Sequence, residues 1–92
     1  MAHKRKLCIF WQGRKAVSGA PTKKYGVYER CLPESAMSQA LAMTKQIGRR
    51  RKGGAALVER VGESNYTLMT CFGKRCKVTL LGQKFGLKSS RK

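Results

Sequence analysis

A single segment of this chain, beginning at Pro33, has the apolar periodicity of an amphipathic helix. Pro33 fits the first helical position, where a missing N–H costs nothing, and Gly48 fits the C-cap. The side chains that recur at helical spacing on one face are Met37, Ala40, Leu41, Thr44 and Ile47. With one amphipathic helix, the core of this chain has to be completed by strands.

Runs rich in β-branched and aromatic residues lie on both sides of this segment and predict strands. They cover residues 6–12, 25–31, 55–61, 66–71 and 76–81. The predicted fold class is α+β, a single antiparallel β-sheet with one helix packed on one face, in the order β-β-α-β-β-β. One domain is expected over residues 1–82. Residues 83–92 form a basic C-terminal tail that we expect to be ordered only on a partner.

The loops at 62–65 and 72–75 set a register for the last three predicted strands. If both loops hold four residues, Val58 lies beside Met69, and Met69 lies beside Val78 on the same face. Cys71 then lies opposite Cys76 on that face. A register that stays consistent over three strands favours a meander.

The four cysteines leave three alternatives open, which are free buried thiols, a zinc site or two disulfides. Cys8 and Cys31 lie inside predicted strands, and Cys71-x4-Cys76 is looser than the usual spacing of a zinc knuckle. A cytosolic setting disfavours disulfides. We therefore expect free, mostly buried thiols, with no metal and no other cofactor.

The charge of the chain limits what it can bind. It has 21 Lys and Arg residues against four glutamates and no Asp, which gives its 92 residues a formal net charge of +17. A polyanion would relieve the self-repulsion of so many cations, and each phosphate that is neutralised releases condensed counter-ions. Solubility alone would favour added acids instead. A nucleic acid is therefore the expected partner.

The chain has few residues that are suited to catalysis. The only histidine, His3, lies in a basic terminal segment, and four glutamates amid so many cations are unsuited to a two-metal site. We expect no enzyme activity, no catalytic residue and no small-molecule substrate.

No stretch is apolar enough to span a bilayer, and the apolar run 7–11 ends too soon for a signal peptide. We expect a cytoplasmic protein without a membrane partner.

Basic residues that cluster in predicted loops and ends are the candidate phosphate contacts. The sharpest cluster follows the helix and is backed by Gly53 and Gly54, which allow close backbone approach while arginine supplies bidentate donors. Four consecutive bases exceed what a helix dipole uses, although a solvated helix end is the plainer interpretation. The candidates are Arg14, Lys15, Lys23, Lys24, Arg49, Arg50, Arg51, Lys52, Lys74, Arg75 and Lys77.

Aromatic residues raise the question of base stacking. Phe72, beside the basic tip at 74–77, fits either stacking on an unpaired base or packing back on the core. The other aromatics on or near strands fit core or edge packing better, and no RNP1 signature, GXXG clamp or zinc-finger spacing is present. These other aromatics are Trp11, Tyr25, Tyr28, Tyr66 and Phe85.

Two family resemblances follow from these features. The opening Met1-Ala2-His3-Lys4 and the loop-borne bases resemble small ribosomal proteins, whose basic extensions thread between RNA helices. The small size and the element order from Leu7 to Leu81 resemble phage-encoded anti-CRISPR proteins. That second resemblance implies docking on Cas subunits and guide RNA, which blocks hybridisation of target DNA. Many anti-CRISPR proteins are acidic DNA mimics, so the bases of this chain would have to contact RNA or backbone phosphates instead.

The resulting functional hypothesis is a non-enzymatic protein that docks on a ribonucleoprotein and contacts RNA phosphates. Its expected partners are guide RNA or rRNA together with protein subunits of the complex, and DNA remains a further candidate. We rank an anti-CRISPR inhibitor, acting in the host cytoplasm, above a ribosomal protein. The third alternative is a small DNA-binding regulator or single-strand binder, which would need exposed stacking aromatics.

Overall fold

A computed structural model of the chain describes residues 5–12, 27–51 and 53–89. The strands are β1 (Arg5–Gln12), β2 (Val27–Pro33), β3 (Ala55–Val61), β4 (Ser64–Phe72) and β5 (Arg75–Val78). The helices are α1 (Met37–Arg50), which follows a 3-10 turn at Glu34–Ala36, and the short α2 (Leu80–Lys84). In these described ranges, no helix is long and apolar enough to cross a membrane.

The strands form one five-stranded sheet in the order β2-β1-β3-β4-β5, and every neighbouring pair is antiparallel. Helix α1 connects β2 to β3 and packs against β1, β3 and β4. The α+β fold class, the single antiparallel sheet and its covering helix are confirmed. Both described helices pack on the same face of the sheet, and we call the opposite face the open face.

The core lies between α1 and the covered face of the sheet. Strand alternation sends Leu7 and Ile9 to this face, where they meet Leu57 and Met69 from the neighbouring strands. Ala40 on α1 is fully buried against them. The predicted helical face is confirmed, because Ala40 and Thr44 are buried and Met37, Leu41 and Ile47 pack against the core.

Both predicted ends of the helix are wrong. Pro33 is the last residue of β2 and precedes the 3-10 turn, so the α-helix begins four residues later than expected. Gly48 lies inside α1, and Arg51 is the C-cap, with extended backbone angles of φ −102° and ψ 133°. The glycine is required by a close approach to the sheet and not by helix termination, as described below.

The register between β3 and β4 also differs from the prediction. A turn at Gly62 and Glu63 pairs Val61 with Ser64, and a bulge then shifts the ladder so that Leu57 lies opposite Met69. Val58 lies opposite Thr67 instead, so the expected pairing of Val58 with Met69 is wrong. The shorter turn extends β4, and the bulge restores the alternation that buries its apolar side chains.

The register between β4 and β5 is as predicted. Met69 lies opposite Val78, and Cys71 lies opposite Cys76. In both strands these residues lie on the covered face, where all four are buried. A tight connection at the tip, with Gly73 at φ +60°, sets this register locally.

The cysteines form two disulfides, Cys8–Cys31 and Cys71–Cys76, so the expectation of free thiols is wrong. Both bonds join residues directly opposite each other on neighbouring antiparallel strands. Cys8–Cys31 lies on the open face, and Cys71–Cys76 lies in the core. Strand pairing brings the cysteine side chains together. The expectation of free thiols was based on the cellular compartment and on the spacing of the cysteines, and not on this strand pairing.

The packed structure extends further towards the C-terminus than expected. The fifth strand ends at Val78, because the Thr79 hydroxyl accepts a bond from the Gly82 N–H at 3.1 Å and caps α2. Leu87 is buried in the core, and the Val78 N–H donates to the Ser89 hydroxyl at 3.0 Å. The expectation that the tail is ordered only on a partner is therefore wrong for residues 83–89.

Candidate nucleic-acid interface

The last turn of α1 presents arginines to solvent. Arg49 and Arg50 are exposed on this turn, and the backbone N–H of Arg51 donates to the Ile47 carbonyl at 2.9 Å. Arg51 is exposed and leaves the helix with extended backbone. Three consecutive guanidinium groups therefore point away from the core at one end of the helix.

The turn between β4 and β5 lies against this end of the helix. Its Gly73 N–H donates to the Gly48 carbonyl at 3.0 Å, and Lys74 and Arg75 next to it are exposed. Two clusters that are more than 20 residues apart in sequence thus become neighbours. We call the surface formed by Arg49, Arg50, Arg51, Lys74 and Arg75 the basic end.

Two glycines permit this close approach, and Cys71 lies between them. A Cβ atom on Gly48 would lie 2.8 Å from the Cβ of Cys71 and 2.9 Å from its carbonyl oxygen. A Cβ atom on Gly54, which has φ +80°, would lie 2.5 Å from the same oxygen. A larger residue at either position would push the helix end or the following chain away from β4.

Most acidic side chains are paired with arginines outside the basic end. Arg5, at the start of β1, lies 3.7 Å from Glu34 and 3.9 Å from Glu59. Arg60 lies 2.6 Å from the Oε2 atom of Glu29. Arg60 is therefore held in a close ion pair, whereas Arg5, whose side chain is half exposed, makes two longer contacts.

The basic end itself keeps its positive charge. Glu63 is exposed in the β3–β4 turn, at the opposite end of β4 from the β4–β5 turn. Within residues 5–12, 27–51 and 53–89, no ion pair involves any of the five basic-end side chains. The basic end is therefore a cluster of five cations with no ion-pair partner among the described residues, and such a cluster is suited to a polyanion.

The structure describes six of the eleven predicted contact residues. It brings five of them together in the basic end and places the sixth, Lys77, on the open face beside Arg75, where it is exposed. Arg14, Lys15, Lys23, Lys24 and Lys52 lie outside the described residues.

The predicted aromatics divide between the core and the surface. Tyr28 is buried, and its ring lies 5.7 Å from that of Trp11, which packs against the core. Phe72 is 58% exposed and Tyr66 is 47% exposed. Core packing is confirmed for Tyr28 and Trp11, whereas Phe72 lies on the surface. Phe85 is exposed, and Tyr25 lies outside the described residues.

A pocket of about 290 Å³ opens beside Phe72, and sequence reasoning missed it. Phe10, Ala56 and Thr70 contribute to its lining, as do Gly53 and Gly54. Alternation along the run 7–11 separates Phe10 from Leu7 and Ile9 and could have indicated that its ring lies on the open face. The pocket itself depends on cross-strand neighbours, which a single run does not reveal.

One group of side chains has the donor types of a metal site. The sulfurs of Cys8 and Cys31 and a carboxylate oxygen of Glu29 lie within 4.8 Å of one another. In the oxidised protein the two sulfurs are bonded to each other, and Glu29 is ion-paired with Arg60. This arrangement offers no set of thiolate ligands for zinc.

Comparison of the chain with protein-family models, with curated proteins and with solved structures finds no match. The class of this protein is therefore defined by its fold and its candidate site. It is a small α+β domain with a clustered basic end and an adjoining aromatic pocket.

Proposed function

We propose that this protein is a non-enzymatic RNA-binding protein that docks on a ribonucleoprotein and holds RNA phosphates at its basic end. The observation that carries the proposal is the Gly48–Gly73 hydrogen bond, which joins two unneutralised basic clusters into one surface. Arginine guanidinium groups supply bidentate donors to phosphate, and lysine supplies a point charge. Together they match a run of backbone phosphates better than they match a single anion.

Within this class, we propose the inhibitor form, which acts in the host cytoplasm on a guide-RNA surveillance complex and blocks target-DNA hybridisation. The support is the small α+β domain with one helix, together with charge that suits contact with RNA and not mimicry of DNA. The two disulfides are typical of oxidising compartments, so this proposal requires that the reduced form also folds.

Binding of fluorescently labelled RNA, measured by anisotropy over a salt series, tests the basic end. Replacing Arg49, Arg50 and Arg51 by glutamine should weaken binding and reduce the slope of log affinity against log salt by about 2. The matched control K6Q/K84Q/K88Q removes three exposed charges outside the basic end and should retain most of the slope. Equal slopes for the two variants would remove the basic end as the contact surface.

Co-purification from the native host, with and without nuclease treatment, tests the partner. Recovery of Cas subunits with guide RNA supports the inhibitor form. Recovery of ribosomal proteins with rRNA would replace it with the ribosomal alternative. Recovery of nucleic acid without protein would favour the single-strand binder, an alternative that the exposed ring of Phe72 supports.

A further inference from the structure

We propose that the pocket between Phe10 and Phe72 takes one unpaired nucleobase, so that the protein selects single-stranded RNA. This inference rests on the proposed function, because it assumes that the neighbouring phosphates lie on the basic end. It adds a second contact, made to a base and not to the backbone, and therefore a preference for unpaired over duplex RNA.

The sheet builds the pocket from one row of neighbouring residues on the open face. Phe10 lies opposite Ala56, Ala56 lies opposite Thr70, and Thr70 lies opposite Lys77. The small side chain of Ala56 leaves a depression between the two phenylalanine rings, and the missing side chain of Gly54 makes room for the ring of Phe72 at its edge. Its volume of about 290 Å³ is close to the lower end of the range for small-ligand sites, about 300–1,000 Å³.

The ring of Phe72 packs against the backbone although it is exposed. A Cβ atom on Gly54 would lie 2.6 Å from the Cδ1 atom of Phe72, so the ring packs directly against the glycine backbone. More than half of the residue's surface still contacts solvent. An exposed aromatic ring that rests on the backbone is a stacking surface for a base.

The second wall of the pocket, the ring of Phe10, also contacts a neighbouring side chain. The guanidinium group of Arg60 lies 5.8 Å from the centre of the Phe10 ring, and the ion pair of Arg60 with Glu29 holds it there. At the rim, Thr70 has a hydroxyl group and Gln12 has an amide. These groups provide donors and acceptors for the edge of a stacked base.

The charge around the pocket identifies its occupant. Arg75 lies directly opposite Phe72, and Lys77 lies opposite Thr70. On the other side, the Gly54 N–H donates to the Arg51 carbonyl at 3.0 Å, which brings the basic end to the pocket. An apolar site with cationic residues on two sides matches a nucleotide, which carries a planar base between two phosphates, better than an apolar peptide.

The test compares single-stranded RNA with an abasic ribose-phosphate strand of the same length, which has the same charge and no bases. The protein should bind the base-containing strand about tenfold more tightly. Replacing Phe72 by leucine should remove most of this difference, whereas the control Y66L, which removes another exposed aromatic outside the pocket, should preserve it. A second variant, A56L, fills the floor of the pocket and should act like F72L, and thermal unfolding verifies that each variant is folded.

The outcomes separate this inference from the proposed function. Salt-dependent binding of both strands with equal affinity would overturn the base pocket and leave the basic end intact. Failure to bind either strand at low salt would overturn both proposals. Equal affinities for the two strands, together with loss of a co-purifying protein in F72L, would show that the pocket takes a protein side chain, which also overturns the inference.

Discussion

The backbone N–H of Gly73 donates to the carbonyl of Gly48 at 3.0 Å and thereby ties the β4–β5 turn to the last turns of α1. Through this bond, a carbonyl near the end of the helix gains a partner, and the tip of the hairpin gains a fixed position. Because basic residues follow both glycines in sequence, the same contact assembles the basic end.

If the basic end acts as one surface, its two halves contribute to the same binding event. We expect K74Q/R75Q to weaken RNA binding and to lower the salt slope by about 1, in addition to the effect of R49Q/R50Q/R51Q. Anisotropy titrations of the two variants and of their combination, over a salt series, measure the affinity and the salt slope of each protein. The control K84Q/K88Q removes two charges elsewhere, and an equal effect of this control would show that only net charge matters.

Alanine at Gly48 should destabilise the protein, although alanine favours helix by about 1 kcal/mol. The added Cβ would overlap Cys71 on the facing strand, where neither backbone can yield easily, and overpacking costs about 1–3 kcal/mol. The neighbouring variant G53A meets only the flexible side chain of Gln12 and should be close to neutral. Urea midpoints compare the two, and a G48A protein as stable as the parent would show that the helix end is not tightly packed.

Aspartate at Met69 should unfold the domain. The side chain is 1% exposed, between Leu57 and Val78 on the covered face, so the substitution would bury an unpaired charge at a cost of about 4 kcal/mol or more. On the same strand, T67D changes an exposed position and should cost about 1 kcal/mol. Circular dichroism and gel filtration distinguish the outcomes, and a folded M69D protein would contradict this register.

Reduction of the disulfides should weaken the fold without abolishing it, because the hydrogen-bonded ladder and the core remain. The bonds link residues 23 and 5 positions apart, so loop-closure entropy assigns about 3 kcal/mol to Cys8–Cys31 and about 2 kcal/mol to Cys71–Cys76. Thermal unfolding of C71A/C76A and of C8A/C31A, each with and without reductant, measures how much the remaining disulfide stabilises each variant. An unfolded reduced protein would contradict the proposed cytoplasmic site of action.

Much of the fold was predictable because it follows from short-range patterns. Helical spacing from Met37 to Ile47 identified the buried face of α1, and β-type runs located all five strands to within a few residues. The register of β4 and β5 was also predictable, since a short tip connects them. The errors at Pro33 and Gly48 occur where one residue type serves two purposes, such as a glycine that fits both a helix end and a close contact. The error at Val58 comes from a shorter turn and a bulge, which change the pairing of β3 with β4.

The candidate site divides in the same way. Sequence alone determined that this chain carries +17, that the charge is clustered, and that an amphipathic helix and several strands form the domain, because charge and periodicity are local properties of the chain. Only the tertiary structure decided which clusters adjoin, that Cys8 pairs with Cys31 and where a pocket opens beside Phe72. These features require backbone segments that are distant in sequence to approach within a few ångströms, and strand pairing and close glycine contacts determine that approach.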